Sequence, residues 1–483
     1  MIRFHDVSWT YAAGQEGSIH NVSLEINQGE CVLLCGASGC GKTTLTRLIN
    51  GLIPHFFPGS LSGEVTVAGL NPSESEIAEV SDHVGTVFQN PRTQFFNTDT
   101  DSELVFGLES RSMPREQMQQ RLDELTAELK LEKLRNRSIF ALSGGEKQKI
   151  AFASVYASAP EILVLDEPSS NLDAAAVKEL SQLIAQAKKD GKTIVIAEHR
   201  LAYLMPLADR AIFMRDGGVE SDMSIEEFRA LPAEKIKELG LRCRDLSEEN
   251  FAVPASADSP DILQVDNLRV RLGKKEVLSN LSFCVQGGEI IAIAGANGAG
   301  KTTLSRALCG LQKQAAGSIS LNGKKLSRGK RKRRSYMVMQ DVGHQLFTDS
   351  VLSECRLGIR HPDEEEIEKA LALLGLTPFK ERHPLSLSGG QKQRLAVAVS
   401  LICHRQLLIF DEPTSGLDLA GMEEVGKLAT ELSRRGKLLL IITHDIELMK
   451  RVCSRILVLS AGRIIADLRG RERAEVERFL EGE

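Results

Sequence analysis

Short apolar runs recur along the chain, and each ends on a residue with chemistry. CVLLC (Cys31–Cys35) runs into Gly36, and HVGTVFQ ends on Gln89. EILVLDE ends on Asp166 and Glu167, and TIVIAEH ends on His199. Apolar runs of this length, bounded by turn formers, read as buried strands. Between them the spacing changes. TTLTRLINGL, REQMQQRLDELTAELKLEKL and KQKIAFASVYAS place apolar residues three and four apart, the period of a helix packed on one face. Strands alternating with helices predict a mainly parallel sheet with helices on its faces. The pieces IRFHDVSW, SIHNVSLEI and GEVTVAG predict a small β subdomain, and the charged stretch 99–138 a separate helical lobe. GVESDMSIEEFRALPAEKIKELG, after residue 217, reads as a short helical tail.

The pattern then repeats. Lys42 and Lys301 stand 259 residues apart, and Gln89 and Gln340 stand 251 apart. Ser143 and Ser388, Asp166 and Asp411, and His199 and His444 each stand 245 apart. Matched order at a nearly constant offset marks a duplication. The expected organisation is a first domain over 1–240, a linker over 241–260 and a second domain over 261–483. The linker carries LSEENFAVPASADSPD, polar and aperiodic.

Each half carries the same candidate chemistry. GASGCGKT (Gly36–Thr43) and GANGAGKT (Gly295–Thr302) fit a phosphate-binding loop between a strand and a helix. Gly36, Gly39 and Gly41, with Gly295, Gly298 and Gly300, leave room for backbone N–H groups to face phosphate oxygens. Lys42 and Lys301 are placed to reach the β- and γ-phosphates. Thr43 and Thr302 place hydroxyls for Mg²⁺, followed by Thr44 and Thr303 at the helix start. Asp166 and Asp411 are placed to hold Mg²⁺, and Glu167 and Glu412 to polarise an attacking water. Gln89 and Gln340 end strands where they can sense Mg²⁺ and water. His199 and His444 are placed for the γ-phosphate. LSGG supplies Ser143, Gly144 and Gly145, or Ser388, Gly389 and Gly390, at a helix start that forms a second anion-binding arrangement. Two phosphate sites per half would be used economically if nucleotide were sandwiched between the halves.

Composition narrows the classes. A formal net charge of −5 argues against a general nucleic-acid binder. The nine cysteines form no CxxC pair and read as reduced core residues. No run approaches the roughly 20 apolar residues needed to cross a bilayer, and MIRFHDVSWTY is unlike a signal peptide. GKKLSRGKRKRRS (Gly323–Ser335) is a basic run expected as a solvated loop or edge.

Together GASGCGKTT, LSGGEKQKIAFA, ILVLDEPSSNLD and EH, with GANGAGKTT, LSLSGGQKQRLAVA, LLIFDEPTSGLD and TH, resemble the ATP-binding cassette ATPases. The resemblance implies a head-to-tail ATP sandwich. Ser388 and Gly390 would complete the site of Lys42, and Ser143 and Gly145 that of Lys301. Asp173 and Asp418 resemble the acids of the family's cross-interface loop. Tyr11 is the candidate aromatic for stacking on adenine, with Trp9 a core alternative, and Leu272 at the matching place in the second half implies weaker affinity there.

VFQNPRTQFFNTDTDSELVFGLE is narrower still, and resembles the ATPases of energy-coupling-factor importers of vitamins, cobalt or nickel. That likeness implies integral-membrane coupling and substrate-binding subunits as partners. It also implies a peripheral place at the cytoplasmic face of the membrane, and a docking groove near Phe95, Phe96, Leu346 and Phe347. The alternatives are a sugar-importer ATPase and a ribosome- or RNA-associated cassette pair.

Overall fold

The computed structural model describes residues 1–12, 17–248, 259–359 and 361–481. They divide into two compact units, Met1–Glu248 with Gly416–Ala420, and Glu249–Ser415 with Gly421–Glu483. Residues 249–258 of the expected linker lie outside the described residues.

In the first unit six strands form the core sheet. Their order is Val84–Val87, Ile162–Asp166, Thr193–Ala197, Cys31–Gly36, Arg210–Arg215 and Gly218–Ser224. The first five are parallel and the last is antiparallel. Cys31–Gly36 and Thr193–Ala197 are buried at every position, which is why their sequences are continuous apolar runs rather than alternating ones. One face packs on a three-stranded antiparallel sheet, in the order Ile19–Ile26, Ile2–Tyr11, Gly59–Val67. The other face carries the helices, including the lobe of Thr100–Ser110, Arg115–Glu128 and Gly144–Ala157.

The second unit repeats this plan. Its core sheet runs Ser335–Val338, Leu407–Asp411, Leu438–Ile442, Ile290–Ala294, Arg455–Ser460, Arg463–Arg469. A four-stranded sheet runs Lys275–Gln286, Ile262–Leu272, Ala316–Leu321, Lys324–Lys325. Its lobe is smaller, with Val351–Arg356 and Glu364–Leu373 ahead of Gly389–Ile402. The fold is therefore a repeated P-loop α/β architecture, each copy having a mainly parallel core, a β subdomain and a helical lobe.

Three local expectations are corrected. The helical run from Arg115 stops at Glu128, because Leu129 caps it and Lys130 turns to φ 54°; Glu132–Leu134 is a separate 3-10 turn. Residues Gly218–Ser224 of the expected helical tail pair with Arg210–Arg215 as an edge strand, and helices begin only at Ile225. The basic run is an edge strand followed by a helix, Arg328–Arg334, whose N-terminus Ser327 caps. The helix's side chains are exposed apart from Arg331, which is buried. Among the described residues no helix is long and apolar enough to cross a membrane.

Candidate nucleotide sites

In an α/β sheet, ligands bind at the C-terminal ends of parallel strands. Each unit gathers its candidate residues there. Cys31–Gly36 leads into a loop whose Gly36, Gly39 and Gly41 all have positive φ, and the helix Lys42–Ile49 follows. A Cβ on Gly36 would overlap the Met214 carbonyl oxygen, and one on Gly41 would lie 2.6 Å from Ile19 Cγ2. Glycine is thus required by both space and backbone conformation. In the second loop a Cβ on Gly300 would lie 2.7 Å from Leu278 Cδ2, while Gly298 has open space and is fixed by its φ of 82° alone.

Lys42 is buried, and its ammonium donates to the Gly36 and Ala37 carbonyls, each at 2.9 Å. Lys301 does the same to Gly295 at 2.6 Å and Ala296 at 3.0 Å. Both loops therefore hold a desolvated cation inside their own curve. Thr43 Oγ1 donates to Asp166 at 3.2 Å, and Thr44 Oγ1 to the Gly17 carbonyl at 2.6 Å. Thr302 is exposed and Thr303 half-buried at the start of Lys301–Leu308. Burial, reinforced by the adjacent Glu167, pushes the Asp166 carboxyl up to about 6. Burial and Glu412 do the same to Asp411, also to about 6. A carboxyl that resists charging in isolation is one that a dication would relieve, so the Thr43–Asp166 pair fits Mg²⁺.

The next acid stands in a strained backbone. Glu167 and Glu412 have φ of 45° and 50°, which costs a non-glycine residue energy and aims the side chain. Glu167 accepts from Gln89 Nε2 at 2.6 Å, and its other oxygen lies 3.4 Å from His199 Nε2. In the second unit Glu412 Oε1 lies 2.9 Å from His444 Nε2 without hydrogen-bond alignment, and Glu412 Oε2 accepts from the His444 backbone N–H at 3.2 Å. Both histidines are buried. Gln340 is exposed beyond Ser335–Val338.

Ser143 and Ser388 cap the helices Gly144–Ala157 and Gly389–Ile402 through complete capping boxes with Glu146 and Gln391. Ser143, Gly144, Ser388 and Gly389 are exposed, and Gly145 and Gly390 half-buried. The helix starts are therefore open and carry partial positive charge. Asp173 caps Ala174–Lys189. Within the first unit, the Ser38 N–H donates to Asp418 at 2.8 Å.

Tyr11 departs from the stacking expectation. Its ring is 4% exposed, edge-packed against Trp9 and Phe57, and its hydroxyl contacts Thr44 Oγ1 at 3.0 Å. In this structure it is a core side chain, as Trp9 is. Leu272 is exposed at the end of Ile262–Leu272.

Sequence reasoning did not find the residues that shape the turn after each glutamine. Phe96 and Phe347 stand 75% and 76% exposed, whereas Leu346 is buried and Phe95 packs on the core. Buried Glu103 accepts from the Phe96 and Asn97 N–H groups at 3.1 and 2.8 Å. Buried Glu354 accepts from those of Phe347 and Thr348, both at 2.9 Å. The 251-residue spacing of the two glutamates was the available signal.

A duplicated phosphate loop, each with a strained acid and a buried histidine beyond it, defines a tandem P-loop ATPase. The ABC transporter family model matches residues 19–170 and 278–415, and the chain belongs to that family as an ATP-binding ATPase. Curated relatives carry a provisional assignment as ABC transporter ATP-binding proteins. One from Treponema denticola is 58% identical over the full length of both chains. One from Methanosarcina mazei is 34% identical, over 97% of this chain and 88% of its own. Among solved structures, the archaeal ribosome recycling factor aABCE1, in complex with the ribosomal stalk protein aP1, aligns at 20% identity and TM-score 0.64. That alignment covers 98% of this chain and 92% of that one, and shows a shared fold. CbiO1 from Clostridium perfringens, part of the ABC transporter complex cbiONQ, aligns at 27% identity and TM-score 0.44, over 50% of this chain and 94% of its own.

Proposed function

We propose that the protein is the energy-coupling ATPase of a membrane importer of a vitamin or transition metal ion, hydrolysing ATP at two composite sites. The observation that carries this is that each unit assembles lysine, aspartate, glutamate and histidine at the strand ends of its own sheet.

Lys42 and Lys301 exchange loop carbonyls for β- and γ-phosphate oxygens, so the binding cation is already desolvated and positioned. Thr43 with Asp166, and Thr302 with Asp411, would hold Mg²⁺, which would supply neutralisation of the phosphate charge. Glu167 and Glu412 orient a water in line with the γ-phosphate and accept its proton. His199 and His444 steady the glutamate and the γ-phosphate. Gln89 donates to Glu167, and Gln94 accepts from the neighbouring Phe88 N–H, so the chain between the site and the turn at Phe96 is anchored at both residues. The open helix starts at Ser143 and Ser388 serve the γ-phosphate held by the opposite half, closing a head-to-tail sandwich.

Phe96 and Phe347 are apolar knobs at equivalent positions, suited to a cytoplasmic helix of an integral-membrane coupling subunit. The protein would then sit peripherally at the cytoplasmic face, beside separate substrate-binding subunits. The test is affinity isolation from solubilised membranes. A multi-span partner should be recovered with the native chain and lost with Phe96→Ser/Phe347→Ser, while ATP hydrolysis by the free protein persists. Recovery of ribosomes in place of a membrane subunit would overturn the transport reading.

A further inference from the structure

The two sites are not fastened in the same way behind the histidine. In the second unit the Thr414 hydroxyl donates to Asp445 at 2.7 Å. This ties the loop after Glu412 to the segment after Leu438–Ile442. Asp445 also accepts from the Leu448 N–H at 3.2 Å and caps the helix Ile446–Val452. The equivalent of Thr414 is Ser169, and the equivalent of Asp445 is Arg200, which has the opposite charge.

Ser169 nevertheless finds a carboxylate. Its hydroxyl hydrogen-bonds Glu198, which stands one residue before His199 where the second unit has Thr443. Ser169 and Glu198 are 0% and 2% exposed. Arg200 folds back onto the same loop, its guanidinium donating to the Leu172 carbonyl at 3.1 Å and its N–H to Glu198 at 3.3 Å. Glu198 Oε2 has no hydrogen-bond partner, so this buried carboxyl is held through Oε1, by the Ser169 hydroxyl and the Arg200 N–H. Burial pushes it up to about 8, which keeps it largely protonated near neutrality. No capped helix follows Arg200; the chain makes only the 3-10 turn Ala202–Leu204.

We infer that Glu198 is a positioning residue of the first site: with Ser169 it forms a latch, moved from the far side of the histidine to the near side, that sets His199 against Glu167. The histidine–glutamate separation is 3.4 Å where the latch precedes the histidine and 2.9 Å where it follows. A polar group buried beyond the end of Thr193–Ala197 is otherwise costly. The inference rests on the proposed part of His199 in hydrolysis, and its test separates the two.

Full-length protein carrying Glu412→Gln would report turnover at the first site. There Glu198→Ala should lower kcat by about 10- to 100-fold with KM for ATP little changed, the signature of a displaced reacting group. Glu198→Gln keeps the shape and the acceptor and should retain most of the rate. Glu198→Thr/Arg200→Asp writes the second unit's arrangement into the first and should restore turnover above that of Glu198→Ala. Independently of turnover, the His199 imidazole NMR signal, assigned with His199→Asn, should move in Glu198→Ala and return in the double variant. An unmoved signal, or a double variant no closer to native than Glu198→Ala, would overturn the latch. A restored signal without restored turnover would keep the latch and remove His199 from hydrolysis.

Discussion

At the scale of single residues, Glu167 and Glu412 are the proposed general bases, and both stand in left-handed backbone. Single Glu167→Gln and Glu412→Gln variants should each lower steady-state phosphate release while leaving ATP binding intact, and the double variant should fall by about 10²- to 10⁴-fold. A double variant with native turnover would remove both from the role of general base. Glu198 gives a second, pH-dependent outcome. Its carboxyl rises from an ordinary 4.5 to about 8 in the folded protein. The folded state thus holds a proton that the unfolded state releases across that interval. Its stabilisation is complete below about pH 4.5 and lost as pH rises through about 8. Urea unfolding from about pH 5 to 8 should show native protein losing stability relative to Glu198→Gln. Parallel pH profiles would contradict this. The lysines, acids, glutamines and histidines were legible because motif spacing names them. The burial of Tyr11 was not, since a tyrosine at a strand end reads alike whether its ring faces a ligand or Trp9 and Phe57.

At the scale of elements, the turns after Gln89 and Gln340 are built as matched pairs. Each projects an exposed phenylalanine and is held from behind by a buried glutamate that accepts backbone N–H groups. Glu103→Ala strands those donors and should cost about 1–3 kcal/mol of stability. Phe96→Ala, changing a side chain that is 75% exposed, should cost less than about 0.5 kcal/mol. Denaturant melts of the two variants separate framework from surface, and equal losses would contradict the division. Strands were the most legible elements, because continuous apolar runs of five residues admit few other readings. Lengths and ends were less so. The helix from Arg115 stops where Lys130 turns left-handed, and Gly218–Ser224 becomes a strand because Arg210–Arg215 offers it an edge. Both outcomes turn on single backbone positions, the left-handed Lys130 and the Asp216–Gly217 turn that folds Gly218–Ser224 back on Arg210–Arg215, and apolar periodicity does not register either.

At the scale of the whole molecule, duplication explains why two similar sites differ in detail. The catalytic spacing from LSGG to histidine is the same in both halves, while the lobe, the basic helix Arg328–Arg334 and the latch behind the histidine are not. The histidine-side latch was invisible in the sequence. EHR and THD differ by exchanges that each look tolerable alone, and only the hydroxyl at Ser169 or Thr414 shows that a carboxylate has changed sides.

The most direct measurement counts ATP retained per chain after rapid gel filtration. Lys42→Ala should retain one nucleotide, and adding Ser388→Arg should leave that one in place, because the proposed sandwich assigns both substitutions to the same site. Adding Ser143→Arg to Lys42→Ala should instead abolish retention. The reverse pattern, loss with Ser388→Arg and retention with Ser143→Arg, would mean that each half completes its own site and would contradict the sandwich.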